Sequence, residues 1–340
     1  MILYFSILFS LLLLSNLKRQ NKTFVLIIIF FILFYGLRGE TMGKDTMMYN
    51  IFYEEQKYGE ISDHLELIYQ ILFQTLYAMN VPIWLMQCCC GALTFIPLAI
   101  AIKKSKVNPI LALFFYYALY YYLNSFNLSR QMMAVSYVML AYSYYPRKLP
   151  SIICILIGYG MHSSALLGLL IFLTPYIKIR STTIYAILIA TFIFGYFLDD
   201  SWLTLILGRY NAYFTDKTLS SQFGYRDNVL YASVMAAALN IIFLVVNQSA
   251  TSDLKKSKWF KLFLFMVLID NMTYKLVLGS RVILYFTIVQ IIVYPLVFRY
   301  NRERKPIILK AIILAYSFVY FIKLIVNTQE TYVPYTSIFN

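Results

Sequence analysis

Long apolar runs separated by short polar clusters recur from one end of the chain to the other, and the length of the runs is the first signal. A helix needs about 20 apolar residues to cross the hydrocarbon of a bilayer. Runs near that length predict spanning helices over 2–17, 23–37, 82–102, 108–124, 128–145, 182–198, 229–248, 259–278, 280–298 and 307–326, several of them short enough to need flanking residues. The first run has no basic leader and no small-residue cleavage site, so it predicts an uncleaved first span. Two apolar segments depart from the pattern. Residues 64–80 carry Asp63, Glu66, Gln70 and Gln74 as a polar stripe beside leucines and isoleucines at helical spacing, which predicts an amphipathic helix lying in the outer interface. Residues 151–174 carry Gly158-Tyr159-Gly160 mid-run, with basic residues at both ends. They predict either two short helices meeting at His162, a re-entrant hairpin buried by its neighbours, or a single crossing that would put Lys178 and Arg180 outside.

The pattern therefore predicts an all-α polytopic membrane protein of about ten spans, a single transmembrane domain over 1–340. Composition agrees: 61% of residues are hydrophobic, 13% are charged and the mean hydropathy is +0.69, values outside the range of soluble domains. The formal charge of +14 has a positional explanation. Six clusters, Lys18/Arg19/Lys22, Lys103/Lys104/Lys106, Arg147/Lys148, Lys178/Arg180, Lys255/Lys256/Lys258/Lys261 and Arg299/Arg302/Arg304/Lys305/Lys310, hold 19 of the 29 Lys and Arg. The positive-inside rule puts all six in the cytoplasm, with both termini and the loops 38–81 and 199–228 outside. Such a distribution needs no nucleic-acid partner. No internal repeat is visible.

Chemistry is sparse. Cys88, Cys89, Cys90 and Cys154 lie inside apolar runs and read as small packing residues, without a disulfide or zinc framework. Asp199 and Asp200 are too few for a metal site. The run Tyr116-Tyr117 and Tyr120-Tyr121-Tyr122 reads as an aromatic belt at the outer surface, or as a wall for stacking sugars. Arginine replaces the lysine-rich mixture toward the outer face, at Arg38, Arg130, Arg209, Arg226 and Arg281. A planar fork of donors suits bidentate capture of phosphate, and lipid diphosphate is the obvious anion for a membrane enzyme. Arg130 and Arg281 begin apolar helices, where they line an inward cavity or snorkel to the headgroups. His162 is the histidine within an apolar stretch, and either packs or exchanges protons.

Several short motifs add up to more. The segment Arg38-Gly39-Glu40-Thr41-Met42-Gly43-Lys44-Asp45-Thr46-Met47-Met48-Tyr49 is followed by Asn127-Leu128-Ser129-Arg130-Gln131-Met132-Met133-Ala134, by Met161-His162-Ser163-Ser164-Ala165, by Ser280-Arg281-Val282-Ile283-Leu284-Tyr285 and by Tyr332-Val333-Pro334-Tyr335. In content and order these resemble the EpsG family of Wzy-type polysaccharide polymerases. The loop around Arg209-Tyr210 and Tyr213 looks family-like with variable spacing.

The resemblance implies a GT-C-like fold in the bacterial cytoplasmic membrane, working toward the periplasm or cell exterior. The implied reaction moves a growing glycan on undecaprenyl diphosphate onto a sugar hydroxyl of a new lipid-linked repeat unit, for capsule, exopolysaccharide or O-antigen. It needs no nucleotide cofactor and no metal, and its partners are lipid-linked oligosaccharide, membrane lipid, a flippase and a chain-length regulator. The residues this points to are Asp45 and His162 as bases, with Arg38, Tyr49, Arg130, Gln131, Arg209, Tyr213, Arg281, Tyr285 and Tyr335 as substrate contacts. Asp45 serves equally as a loop tie. A lipid-linked oligosaccharide flippase or other carrier, a glycan ligase and a membrane O-acyltransferase are the alternative classes.

Overall fold

The computed structural model describes residues 1–18, 20–58, 65–177, 181–198, 229–276, 279–300 and 306–339. Among them the regular structure is helical, with one isolated β-bridge between Arg38 and Ser337. In chain order the first helices are α1 Ile2–Leu14, α2 Asn21–Gly36, α3 Thr46–Glu54, α4 Leu67–Ala78, α5 Ile83–Lys104, α6 Pro109–Ala118, α7 Tyr121–Asn127, α8 Ser129–Tyr144 and α9 Lys148–Met161. A 3-10 helix, Ser163–Tyr176, follows. Then come α10 Ser181–Phe197, α11 Val229–Ser249, α12 Ser252–Lys256, α13 Lys258–Thr273, α14 Gly279–Val282, α15 Leu284–Thr287, α16 Gln290–Tyr300, α17 Pro306–Asn327 and α18 Gln329–Tyr332.

Three described helices are long and apolar enough to cross a membrane by themselves: Ile83–Lys104, Ala232–Ser249 and Ile307–Asn327. Eight shorter apolar helices accompany them. The expected ten full spans are thus not all present as unbroken rods. At 1.5 Å per residue the 13 residues of α1 cover about 20 Å, short of a hydrocarbon layer about 30 Å thick. The expected span 108–124 is divided at Tyr120, whose φ of 70° turns the chain between α6 and α7. The expected span 280–298 is divided into α14, α15 and α16. The outer surface nevertheless demands lipid, with Ile2 84%, Leu13 73% and Ile307 79% exposed.

The chain forms two compact units. The first comprises Met1–Ile171, Gln290–Pro295 and Ile313–Asn340. Close approach of α2 to α5 shapes it: a Cβ on Gly36 would sit 2.1 Å from the Cys88 sulfur, so the helices touch where the glycine leaves room. The tyrosine run fills this unit rather than facing headgroups or sugars. Tyr116, Tyr117 and Tyr122 are fully buried, Tyr122 lies 4.3 Å from Phe31 and 5.3 Å from Phe95 between ring centroids, and its hydroxyl donates to the Phe31 carbonyl at 2.9 Å. Both readings drawn from the sequence are corrected here. The α6–α7 corner turns these rings inward, where they meet aromatic partners on α2 and α5.

Two short helices do meet at His162. Helix α9 stops at Met161, His162 is extended, and the 3-10 helix folds back: a Cβ on Gly158 would lie 3.3 Å from Ala165 Cβ, and one on Gly168 would lie 3.3 Å from Ile155 Cγ1. The pairs straddle residue 162, which is the signature of a hairpin. The same Gly158 abuts the Ala134 carbonyl on α8 at 3.3 Å.

The second unit comprises Phe172–Val289 and Leu296–Ile312. Its helices α10, α11 and α13 share a polar node. Asn240 Nδ2 donates to Asn271 Oδ1 at 2.6 Å, and the fully buried Asn271 donates to Thr191 Oγ1 at 3.1 Å and to the Leu188 carbonyl at 3.2 Å. Hydrogen bonds between helices in lipid contribute roughly 0.6–2 kcal/mol each.

Candidate functional site

The loop after α2 is fixed by distant segments. Gly39 N–H donates to the Thr336 carbonyl at 2.9 Å, Gly43 N–H to that of Thr331 at 3.3 Å, and Lys44 N–H to Asn127 Oδ1 at 2.7 Å. Asn127 Nδ2 in turn donates to the Tyr332 hydroxyl at 2.6 Å. Gly43 has φ +92°, and a Cβ there would meet Asn127 Oδ1 and the Phe126 carbonyl at 2.9 Å, so glycine is required twice over. Three of the motif segments, 38–49, 127–134 and 332–335, therefore converge in one place.

Within this cluster Arg38 is 2% exposed. Its Nε donates to Thr46 Oγ1 at 3.2 Å, its Nη1 to the Tyr35 carbonyl, and its guanidinium lies 3.8 Å from the Tyr35 ring centroid. It joins the end of α2 to the start of α3. Tyr335 stacks on Phe34 with centroids 4.2 Å apart and donates to the Phe34 carbonyl at 2.9 Å. Burial pushes its phenol up to about 12, against the pull of Arg38. Both residues hold the loop in place. Asp45 occupies the N-cap of α3, half-buried, and makes no capping bond with its side chain. Its negative charge reaches the phenols of Tyr49 and Tyr332.

A second cluster forms beside it. Arg130, in the first turn of α8, donates from Nη1 to Glu66 Oε2 at 2.6 Å, and the two side chains are 20% and 23% exposed. Tyr49, 7% exposed, hydrogen-bonds the same guanidinium from α3. Burial raises the Tyr49 phenol above its ordinary value while Arg130 works against that shift. The other oxygen of Glu66 accepts from the Ser163 N–H at 3.4 Å, at the tip of the hairpin. Next to Ser163, the half-buried His162 has Nδ1 2.7 Å from Ser164 Oγ. Gln131, the next residue along α8, is 3% exposed.

This gathers Tyr49, Arg130 and the His162 corner around one carboxylate that the sequence reading treated only as part of a polar stripe. Glu66 belongs to the stripe Asp63, Glu66, Gln70 and Gln74, which helical spacing alone assigns to the polar side of an interfacial helix. The amphipathic helix itself is present as α4, over 67–78. Arg281 and Tyr285 belong to the second unit, Arg281 half-buried in α14 and Tyr285 fully buried in α15. Arg209, Tyr213, Asp199 and Asp200 lie outside the described residues. Among the described residues no group of three His, Cys, Asp or Glu is placed to hold a metal ion.

The arrangement suits an anion. A guanidinium offers planar paired donors, the site is partly open, and an aromatic hydroxyl and a carboxylate flank it. Comparison with known families agrees on a wider basis. The family model for the EpsG family matches residues 2–337, and the chain belongs to that family, an integral membrane family of Wzy-type polysaccharide polymerases. Neither a curated protein nor a solved structure matches the chain.

Proposed function

With EpsG membership as the premise, we propose that this protein polymerises lipid-linked glycan repeat units at the outer face of the cytoplasmic membrane. The donor is the growing glycan on undecaprenyl diphosphate, and the acceptor is a sugar hydroxyl of a new lipid-linked unit. The new glycosidic bond forms as the bond from anomeric carbon to diphosphate oxygen breaks. The acceptor proton passes to a base and lipid diphosphate leaves. The observation that carries the reading is Arg130, a partly open guanidinium gripped by Tyr49 and Glu66 inside a family motif.

Diphosphate is already a good leaving group, so preorganised positive charge matters more here than a general acid. Arg130 supplies that charge, and Tyr49 keeps the guanidinium facing the site. A base for the hydroxyl is worth about 10²- to 10⁴-fold. His162 is the stronger candidate, because it sits at a chain corner one residue from the contact with Glu66. Asp45 is the other. Arg38 and Tyr335 support the loop that carries Tyr49.

The test is a deletion strain examined for surface glycan. Single repeat units, made and exported but not joined, are the expected product. Glycans of unchanged modal length would exclude polymerisation, and accumulation of units on the cytoplasmic side would favour a carrier instead.

A further inference from the structure

Glu66 occupies the N-cap of α4 with an extended backbone, φ −72° and ψ 153°, yet its side chain makes no capping bond. The first N–H groups of a helix lack intrahelical partners, and a carboxylate close to them is favoured by the helix dipole as well. Glu66 instead turns toward Arg130 with one oxygen and toward the Ser163 N–H with the other. It therefore holds Arg130 through a single oxygen, the weaker mode compared with a bidentate fork. The two side chains are 20% and 23% exposed, so the pair is mostly buried yet open enough for an anion to reach it. A second resting place, the end of its own helix, lies within the same residue's backbone reach.

We propose that Glu66 is a counter-ion displaced by substrate: a diphosphate group takes its place on Arg130, and the carboxylate retreats to the N-terminal end of its own helix α4. This rests on the reading of Arg130 as a diphosphate contact. A dianionic group and a carboxylate repel each other on one guanidinium, so Glu66 lowers the affinity of the site and assists departure of the lipid diphosphate left by each transfer. Its second contact gives the exchange a further effect. Departure of Glu66 releases the Ser163 N–H, so arrival of the anion is transmitted to the hairpin corner that carries His162.

The proposal makes a prediction of sign. Loss of a merely structural ion pair leaves diphosphate binding weaker or unchanged, whereas loss of a competing anion tightens it. Full-length protein in lipid nanodiscs is titrated with farnesyl diphosphate in EDTA, with inorganic diphosphate as a second probe. Glu66→Gln is expected to tighten binding roughly tenfold, and Arg130→Gln to weaken it by at least about that factor. Tightening toward farnesyl diphosphate alone identifies a lipid headgroup as the ligand; tightening toward both probes identifies the diphosphate group itself.

Glu66→Ala repeats the measurement without an amide that bonds Ser163. Weaker or unchanged binding in monodisperse Glu66→Gln and Glu66→Ala proteins, with Arg130→Gln still weakening it, overturns the counter-ion and leaves Arg130 as the ligand. Binding that Arg130→Gln does not alter, or no binding of either probe by any variant, overturns both.

Discussion

A charge on a guanidinium and the shape of its fork are separable, and Arg130 is where the separation matters. Lysine keeps the charge but offers one ammonium in place of paired planar donors, and it reaches Glu66 or Tyr49 rather than both. Arg130→Lys is therefore expected to reach the membrane at normal level while polymer falls at least about 100-fold, an oxyanion-contact magnitude, read from glycan ladders beside an immunoblot. Normal ladders would remove Arg130 from the site. Arg281→Lys is a separate test of the second unit's arginine by the same readout. Gly43→Ala is expected to destabilise by roughly 1–3 kcal/mol, because a positive φ and two short contacts coincide there, measured as a lowered melting temperature in detergent. Arg130 was legible in the sequence because a charge on an apolar run asks for a reason. Glu66 was not, because its partner lies 64 residues away and nothing local distinguishes a carboxylate facing an arginine from one facing water.

At the scale of elements, the corner between α9 and the 3-10 helix depends on glycines that let three chain segments approach. Gly158→Leu places bulk 3.3 Å from the Ala134 carbonyl and the Ala165 methyl, so α9 is expected to move off α8 and carry His162 with it. Loss of polymer together with altered protease sensitivity of the 148–176 region would be the observation, and wild-type ladders would argue against the hairpin's role. The helices near 2–17, 23–37, 82–102 and 128–145 were readable because apolar length is a strong local signal, whereas the short α3 and the break at Tyr120 carry no such signal. The hairpin was readable from glycines and flanking charge. The tyrosine run was misread because a belt and a core present the same residues. Only the turn at Tyr120 and the facing Phe31 and Phe95 decide between them. Tyr122→Ala is accordingly expected to cost about 3–5 kcal/mol of stability, the range for large buried aromatics, rather than to change membrane depth.

For the whole molecule, charge placed along the chain sets sidedness more firmly than helix length does. On a cysteine-free background, Lys57→Cys and Lys256→Cys, both at exposed positions, are expected to label differently with an impermeant reagent in intact cells, the first strongly and the second weakly. Equal labelling would sink the orientation.

The loop carrying the Gly43 turn is completed by residues near the other end of the chain. Tyr335 reaches back to Phe34 across 301 residues of sequence, and Thr336 and Thr331 hold Gly39 and Gly43. Ribosomes add about 5 to 20 residues per second, so the second helix waits about 15 to 60 seconds for the partners that close its loop. During that interval the early helices stand with this loop unclosed. A nascent chain lacks these loop partners until residues 331–336 are made, and a stop codon after Gln329 is expected to abolish polymer although every apolar run before it is intact.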